Sequence, residues 1–336
     1  SVSVNHGIVN GVMKASDRKT TNGNIRLLYR KGDLSFTNSL SIDHVVANKE
    51  VSPFSTFSRA NPYHRKYDEN GNIKMVLEDF SASRSGYDPI YSPFYDLNNL
   101  NINTQGSEGF TNNFEIEWRM LPELRARGRF GLRSLNLHDE IFRSPFNVEF
   151  VGTDQLQKGS YQENNGKNVN YDGDFSLTYG KLFADKHMLN GVLGARMEQA
   201  TNKRSSYQVR GFIDDEFSNP NFALGYPEGQ RADYTQSKRR GASFFMNMGY
   251  SYDKRYLLDA TLRSDGSSVF GSERQFSTIW SLGLAWNAHN ESFFKQFHWI
   301  DQLRLRATIG NPGNQNFDDY ISMRVYRYNN DNRNPF

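Results

Sequence analysis

The stretch LRSDGSSVFGSERQFSTIWSLGLAWN, residues 262 to 287, decides the fold class of this chain. In its second half the even-numbered positions are large and apolar apart from Thr278, and they are Phe276, Trp280, Leu282, Leu284 and Trp286. Small or polar residues alternate with them at Ser277, Ser281, Gly283, Ala285 and Asn287. Because successive side chains of a β-strand point to opposite faces, the pattern predicts a strand with one large apolar face and one small polar face.

The same alternation recurs along most of the chain. It is found at residues 25–29, 34–46, 110–120, 124–132, 175–179, 189–197, 244–250, 256–262, 303–309 and 321–325. With the opening stretch this makes about eleven strands, which we expect to form an antiparallel meander. The fold class is therefore all-β.

Composition agrees with strands that have one apolar face. Only 37% of residues are hydrophobic, yet 14% are aromatic, a balance that does not suit packed helices. The chain has no Cys, which excludes disulfides and thiolate metal sites. Its net charge of +3 is too small to indicate a nucleic-acid partner.

Alternation alone does not separate a membrane barrel from a soluble β-sandwich. Three further features favour the barrel, the first being strands of about 9–13 residues, close to the length that a tilted bilayer-spanning strand needs. Tight turns at 31–33, 121–123, 183–187 and 253–255 also alternate with long polar loops at 47–109, 137–169 and 200–240. Finally, aromatic residues gather beside the tight turns, as in an interfacial girdle: Tyr29, Trp118, Phe183, Tyr250, Tyr252, Tyr256 and Trp286. We therefore expect the chain to form a portion of a transmembrane β-barrel, with the face that carries the large apolar residues against lipid. In hydrocarbon, only a helix or a closed sheet satisfies the hydrogen-bonding groups of the backbone.

Signals for catalysis or metal binding are absent from the sequence. The seven His are scattered without metal-ligand spacing, and the acidic run at 214–216 is typical of a solvated loop. We expect no enzymatic activity, no cofactor and no metal site.

Charged residues on the polar faces of three strands are candidate lumen-lining positions. They are Glu115, Glu117, Arg119, Arg125, Arg127, Arg129, Arg133, Asp259 and Arg263. Such residues can steer polar solutes, but we favour a cross-strand ion network that holds the wall of the lumen or a plug.

The loop at 47–109 is too long for a passive connection and is dense in Tyr, Phe, Pro and Asn. Its aromatic residues are candidates for contact with a ligand or a partner protein: Tyr63, Tyr87, Tyr91, Phe94 and Tyr95. They suit stacking on sugar rings or docking of a protein, and they suit a self-packed loop equally well.

An ordered set of motifs in the last third of the chain resembles the SusC/RagA family of TonB-dependent outer-membrane transporters. The motifs are a strand ending in R-x-DGSS-x-FG, a Trp-Ser strand ending in AWN, an NE-x-F segment and a GN-x-GNQ turn. Their signature residues are Asp265, Gly266, Ser267, Ser268, Phe270, Gly271, Trp280, Trp286, Asn287, Gly313, Asn314 and Gln315. Weaker similarity extends over nearly the whole chain.

The resemblance implies a plugged barrel of about 22 strands in the outer membrane of a Gram-negative cell. It also implies a SusD-like surface lipoprotein as partner, glycans or peptides as substrates, and energy from TonB through an N-terminal box. Residues 1–336 are then expected to be part of a single barrel domain, with the plug, the TonB box and the signal peptide lying outside them. The alternatives are a passive porin or adhesin barrel and a secreted, soluble β-sandwich that binds carbohydrate.

Overall fold

The computed structural model describes residues 1–50, 52, 54–58, 61–79, 89–268, 276–296 and 299–311. The strand predicted at 321–325 lies outside these residues. Within the described part of the chain, no helix is both long and apolar enough to cross a bilayer.

Eleven strands form one antiparallel sheet in which each strand pairs with the next along the chain. They are β1 (Val2–Asn10), β2 (Asp17–Lys31), β3 (Leu34–Asn48), β6 (Ile102–Leu121), β7 (Leu124–Arg143), β8 (Ser160–Phe183), β9 (His187–Arg210), β10 (Asp233–Tyr252), β11 (Tyr256–Ser267), β12 (Phe276–Asn287) and β13 (Arg304–Asn311). A separate hairpin of β4 (Val76–Glu78) and β5 (Ile90–Tyr91) and a short helix, α1 (Phe54–Ser58), lie in the connection between β3 and β6. The predicted all-β meander is confirmed.

Several strands are longer than the sequence predicts. β8 and β9 have 24 residues each, so the loops predicted at 137–169 and 200–240 shrink to 144–159 and 211–232. The loop predicted at 47–109 likewise shrinks to 49–101. These boundaries were wrong because the far halves of the strands are polar on both faces and show no alternation. β1 was also missed, although Val2, Val4 and Ile8 alternate with polar or small residues.

Strand pairing aligns the apolar positions into continuous rows across the sheet. One row runs through eight strands: Leu34, Trp118, Ala126, Leu177, Leu193, Met246, Leu262 and Trp280. We call the face that carries this row the apolar face and the opposite one the polar face. A register slip of one residue would exchange the two faces, so the alternation fixes the register.

The apolar face does not pack against protein. Leu193, Met197 and Leu284 are 57%, 64% and 56% exposed, and only nine hydrophobic residues are buried in the whole described structure. The described residues contain no second sheet that could cover this face. The β-sandwich alternative is therefore wrong, and the large residues of FSTIWSLGLAWN are placed to meet lipid.

Predicted girdle residues lie beside the tight turns, as expected. Phe183, His187, Tyr252, Tyr256 and Trp286 occupy one register row across five strands. The rings of His187 and Tyr252 are 4.9 Å apart, and those of Tyr252 and Tyr256 are stacked at 6.3 Å. Amphipathic rings in such a row favour the boundary between hydrocarbon and water.

The turn between β10 and β11 shows how tightly the strands reverse at this end. Asp253 and Lys254 both have positive φ, at 48° and 57°, and the Arg255 amide donates a 2.8 Å hydrogen bond to the Tyr252 carbonyl. Two central residues of positive φ define a type I′ turn, whose twist matches that of the paired strands.

Candidate functional site: the polar face and the long-loop end

Ion pairs link neighbouring strands along the polar face. Arg127 Nη2 lies 2.6 Å from Glu115 Oε2, and Arg125 Nη1 lies 3.8 Å from Glu117 Oε2. Both pairs are diagonal, since Glu115 stands opposite Arg129 in the register. Arg129 turns instead to Asp174 of β8, which places three adjacent strands in one chain of charge contacts.

Six of the nine predicted lumen-lining residues take part in such pairs, the sixth being Arg263, whose Nε lies 2.7 Å from Asp265 Oδ2. Their side chains are roughly half-exposed, so each pair stabilises the fold by about 0–1 kcal/mol. The ion pairs therefore fix the positions of charged side chains along the wall more than they stabilise the fold. Arg119, Arg133 and Asp259 lie on the same face by register.

Farther toward the long-loop end, the polar face holds a hollow of about 530 Å³ lined with amide side chains. Asn164, Asn168 and Asn202 contribute to it, together with Asp139 and Arg204. Asn164 Oδ1 already accepts a hydrogen bond of 2.6 Å from the Ser206 hydroxyl. Amides both donate and accept, which suits hydroxyl groups and peptide bonds alike. The sequence prediction missed this hollow because these positions were assigned to loops, although the density of Asn was a visible signal.

At the long-loop end, the connections after β7 and β9 pack together on the strand tips. Phe142 and Phe212 are fully buried, with ring centroids 5.1 Å apart in an edge-to-face arrangement. Tyr161 and Val209 complete this cluster, which we call the cap core. Ile102, Tyr207 and Ala223 are partly buried against it.

Hydrogen bonds tie a third connection to the cap core. Asn147 Nδ2 donates to Asn101 Oδ1 at 2.6 Å, and the Ser144 hydroxyl donates to Asp215 Oδ2 at 3.1 Å. The Leu100 amide donates to the same Asp215 oxygen at 3.0 Å. Segments before β6, after β7 and after β9 are thus held together, so the long-loop end presents a defined surface.

A carboxylate cluster borders the cap core. The Tyr207 hydroxyl donates to Glu163 Oε2 at 2.6 Å, and Asn165 Nδ2 donates to Glu163 Oε1 at 2.5 Å. The Tyr207 hydrogen bond is the main cause that lowers the pKa of Glu163 below its usual value. Burial, with the Glu163 carboxylate second, raises the pKa of Tyr207 to about 12. Glu163 is therefore ionised at neutral pH.

The predicted contact residues of the long loop divide into two groups. Tyr63 is 91% exposed, whereas Phe94 packs edge-on against Phe57 at 5.2 Å and beneath the Lys66 ammonium at 4.1 Å. Tyr91 and Tyr95 are partly buried. Tyr87 lies outside the described residues. Part of the loop is thus self-packed while Tyr63 stands free on its surface.

Signature residues lie on β11 and β12 and beside their ends. Asp265 is buried and paired with Arg263, and the Trp286 indole donates to Glu291 Oε1 at 3.2 Å. Glu291 also accepts from the Tyr256 hydroxyl at 2.8 Å and from Arg255 Nη1 at 3.1 Å. Glu291 belongs to the NE-x-F motif that carries the resemblance, but its partners could not be predicted from the sequence. Outside the described residues lie Phe270, Gly271, Gly313, Asn314 and Gln315.

Groups of acidic and His residues large enough to hold a metal are not found in the described ranges. No protein-family model matches the chain.

Two curated relatives are similar in sequence. TonB-dependent receptor P26 of Formosa agariphila is 26% identical over 255 residues, which are 71% of this chain and 24% of the relative. TonB-dependent receptor SusC of Bacteroides thetaiotaomicron is 34% identical over 123 residues, or 32% of this chain and 12% of the relative. The chain thus spans about a quarter of the first relative's length.

Among solved structures, the RagAB peptide transporter aligns with 98% of this chain and 37% of its own chain, at a TM-score of 0.72 and 19% identity. At this identity the match shows the fold, an antiparallel barrel wall. The named relatives are TonB-dependent receptors of the outer membrane and not enzymes. The ordered motifs and the sequence relatives make this chain similar to TonB-dependent receptors, SusC among them, and its fold is that of the RagAB barrel wall.

Proposed function

We propose that residues 1–336 form part of the barrel wall of an outer-membrane nutrient importer that takes up glycans or peptides. The wall belongs to a single barrel domain, and TonB acts through a segment outside these residues. The nine charged residues predicted from the sequence line the lumen in this proposal. A SusD-like lipoprotein docks at the long-loop end.

The observation that carries the proposal is the division of the sheet into two faces. One face is apolar, exposed and continuous over eight strands, while the other carries ion pairs and an amide-lined hollow. A wall between lipid and a polar passage requires this division. A sheet that served only as an anchor would not need hydrogen-bonding groups along its other face.

Substrate class follows from the chemistry of the amide-lined hollow. Asn164, Asn168 and Asn202 offer donors and acceptors without a strong net charge, while Asp139 and Arg204 supply one charge of each sign. That set suits short peptides, whose backbone and termini need all of these groups. The similar solved protein RagAB is a peptide transporter. Oligosaccharides are the second substrate class, because their hydroxyl groups match the amides.

Uptake by whole cells tests this proposal. Cells that express the complete gene product, and a deletion strain, are given labelled peptide and oligosaccharide pools with and without a protonophore. We expect uptake of one pool to require the gene and to stop when the proton gradient collapses, because TonB draws on that gradient. Gene-dependent uptake that persists with the protonophore would instead support the passive porin alternative.

A substitution of Tyr63, the exposed aromatic residue of the long loop, tests docking of the lipoprotein. In affinity purification from outer membranes, Tyr63→Ala should weaken recovery of a co-purifying lipoprotein, because this ring is free to contact a partner. Tyr29→Ala, an exposed aromatic beside a tight turn, is the control and should leave recovery unchanged. Equal recovery in all three proteins would remove Tyr63 from the interface.

A further inference from the structure

A cavity of about 790 Å³ opens on the apolar face at its border with the long-loop half. It follows a register row in which small residues replace large ones. The row is Phe130, Gly173, Met197, Ala242, Gly266 and Phe276. The absent side chain at Gly173 and the small one at Ala242 leave a groove between Phe130 and Phe276.

The Phe276 ring bounds the groove at its Gly266 end. A Cβ added at Gly266 would lie 2.6 Å from Phe276 Cε1, so the Phe276 ring already occupies the space over this glycine. Met197, on the floor, is 64% exposed. The groove is lined mainly by apolar atoms and opens toward the membrane, so it suits a hydrocarbon chain.

Four cations lie on the same side of the sheet, between the groove and the long loops. Arg240 and Lys238 lie two and four residues before Ala242 on β10, while Lys167 and Lys203 stand opposite each other six residues beyond the groove row on β8 and β9. All four are exposed. Like charges placed directly opposite on paired strands are destabilising unless an anion joins them.

These cations have no acidic partner in the described structure. Among the described residues none of the four forms an ion pair, and Arg240 Nε donates a 3.1 Å hydrogen bond to Gln199 Oε1. The polar face at the same height behaves differently, since Arg196 Nη2 lies 3.2 Å from Glu198 Oε2. On this polar face Arg196 is neutralised in this way, whereas Arg204, farther along β9, forms no ion pair with the described residues.

The position of the cluster along the strand fits the outer surface of the bilayer. Twelve residues of β10 follow Arg240 and end at Tyr252 in the girdle row. A tilted strand crosses the hydrocarbon with about 9–11 residues. Arg240 therefore lies at the level of the headgroups of the outer leaflet, with the groove just below it.

We propose that this surface binds a phosphorylated lipid of the outer leaflet. Its acyl chains lie in the groove between Phe130 and Phe276, and its phosphate groups are held by Arg240 and Lys238 next to the groove and by Lys203 and Lys167 farther toward the long loops. The site needs only the outer-membrane location and does not depend on which nutrient is imported.

The test uses the complete protein purified from outer membranes in mild detergent, with native mass spectrometry as the readout. Bis-phosphorylated lipid A, dephosphorylated lipid A and inorganic phosphate are the three probes. We expect the wild type to retain the phosphorylated lipid, and the pair Lys238→Glu and Arg240→Glu to weaken retention about tenfold or more. Arg239→Glu is the matched control, since Arg239 is adjacent in sequence but lies on the polar face.

A second pair of variants tests the groove itself. Ala242→Trp fills the groove and should release the lipid, whereas Ala260→Trp, on the apolar face outside it, should not. Heat-modifiable migration on gels reports folding of each variant, and Arg240→Gln replaces the charge reversal if that variant does not fold. Equal retention by the wild type and the Arg240 variants, equal binding of dephosphorylated lipid A, or binding of inorganic phosphate alone would each overturn the proposal.

Discussion

The turn-proximal halves of the strands differ from their long-loop halves in side-chain pattern and in burial. Near the turns, apolar and polar positions alternate strictly, and the apolar side chains remain exposed, as at Leu193. Near the long loops, both faces of β8 are polar, and burial is concentrated in the cap core around Phe142. The difference shows that the alternation of apolar and polar residues depends on what surrounds the sheet. It is present where one face meets lipid and the other meets water, and it is absent where both faces meet water.

The largest expected effect is a loss of stability in the long-loop half. Phe142→Ala removes a fully buried ring and should cost the cap about 3–5 kcal/mol, because a cavity remains where Phe212 packed. Hydrogen exchange of residues 211–232 measures the loss. Phe130→Ala, at a ring that is 49% exposed, is the control and should leave that exchange unchanged. Equal exchange in both variants would mean that the cap core does not hold the loops.

The next largest expected effect is a loss of stability in the turn-proximal half. Leu193→Arg places a charge in the middle of the apolar face and should destabilise the protein by about 2–4 kcal/mol in a bilayer. In a water-soluble protein, the same change at a residue 57% exposed would be nearly neutral. Asn247→Arg on the polar face is the control, and denaturant unfolding in lipid vesicles is the measurement. A neutral Leu193→Arg would contradict the lipid contact.

Acid should loosen the long-loop half around the Glu163 cluster. The pKa of Glu163 is lowered in the folded state, so its contribution is complete above the unfolded pKa and is lost as pH falls through the folded pKa. The protection of backbone amides around Tyr161, corrected for the intrinsic exchange rate at each pH, should therefore fall below about pH 4.3, the ordinary pKa of Glu.

Tyr207→Phe removes the main hydrogen bond to Glu163 and should cost about 1.5 kcal/mol at neutral pH. The same variant should show a weaker response to acid. Tyr171→Phe, at an exposed ring closer to the groove, serves as the control. An acid response that is identical in Tyr207→Phe and the wild type would rule out Glu163 as its source.

The smallest effect concerns the ion pairs of the polar face. Arg127→Ala should change the free energy of unfolding by only about 0–1 kcal/mol, because the pair with Glu115 is well exposed. Arg133→Ala, which breaks no ion pair in the described structure, is the comparison. Denaturant midpoints at low and high salt measure both, and only the Arg127 effect should shrink in salt. A loss above about 2 kcal/mol would show that the network is structural.

Sequence reasoning succeeded where the surroundings differ on the two sides of the sheet. Phe276, Trp280 and Leu284 could be assigned to one face because alternation is local information. It failed at β8, where Asn164 and Lys167 are polar on opposite faces and nothing in the spacing marks a strand. The partners of Glu163 and Asp215 could not be predicted either, because those contacts join residues far apart in sequence.

The length of β8 and β9 sets how far the long loops stand from the cell surface. Twenty-four residues at about 3.3 Å each, tilted by about 45°, rise about 55 Å along the barrel axis. About 30 Å of that height lies in hydrocarbon, so the cap stands about 25 Å above it. Any molecule that docks on the cap meets it above the headgroups and the first sugars of the surface layer. A lipid-anchored partner therefore needs a tether, or a body, tall enough to reach that height.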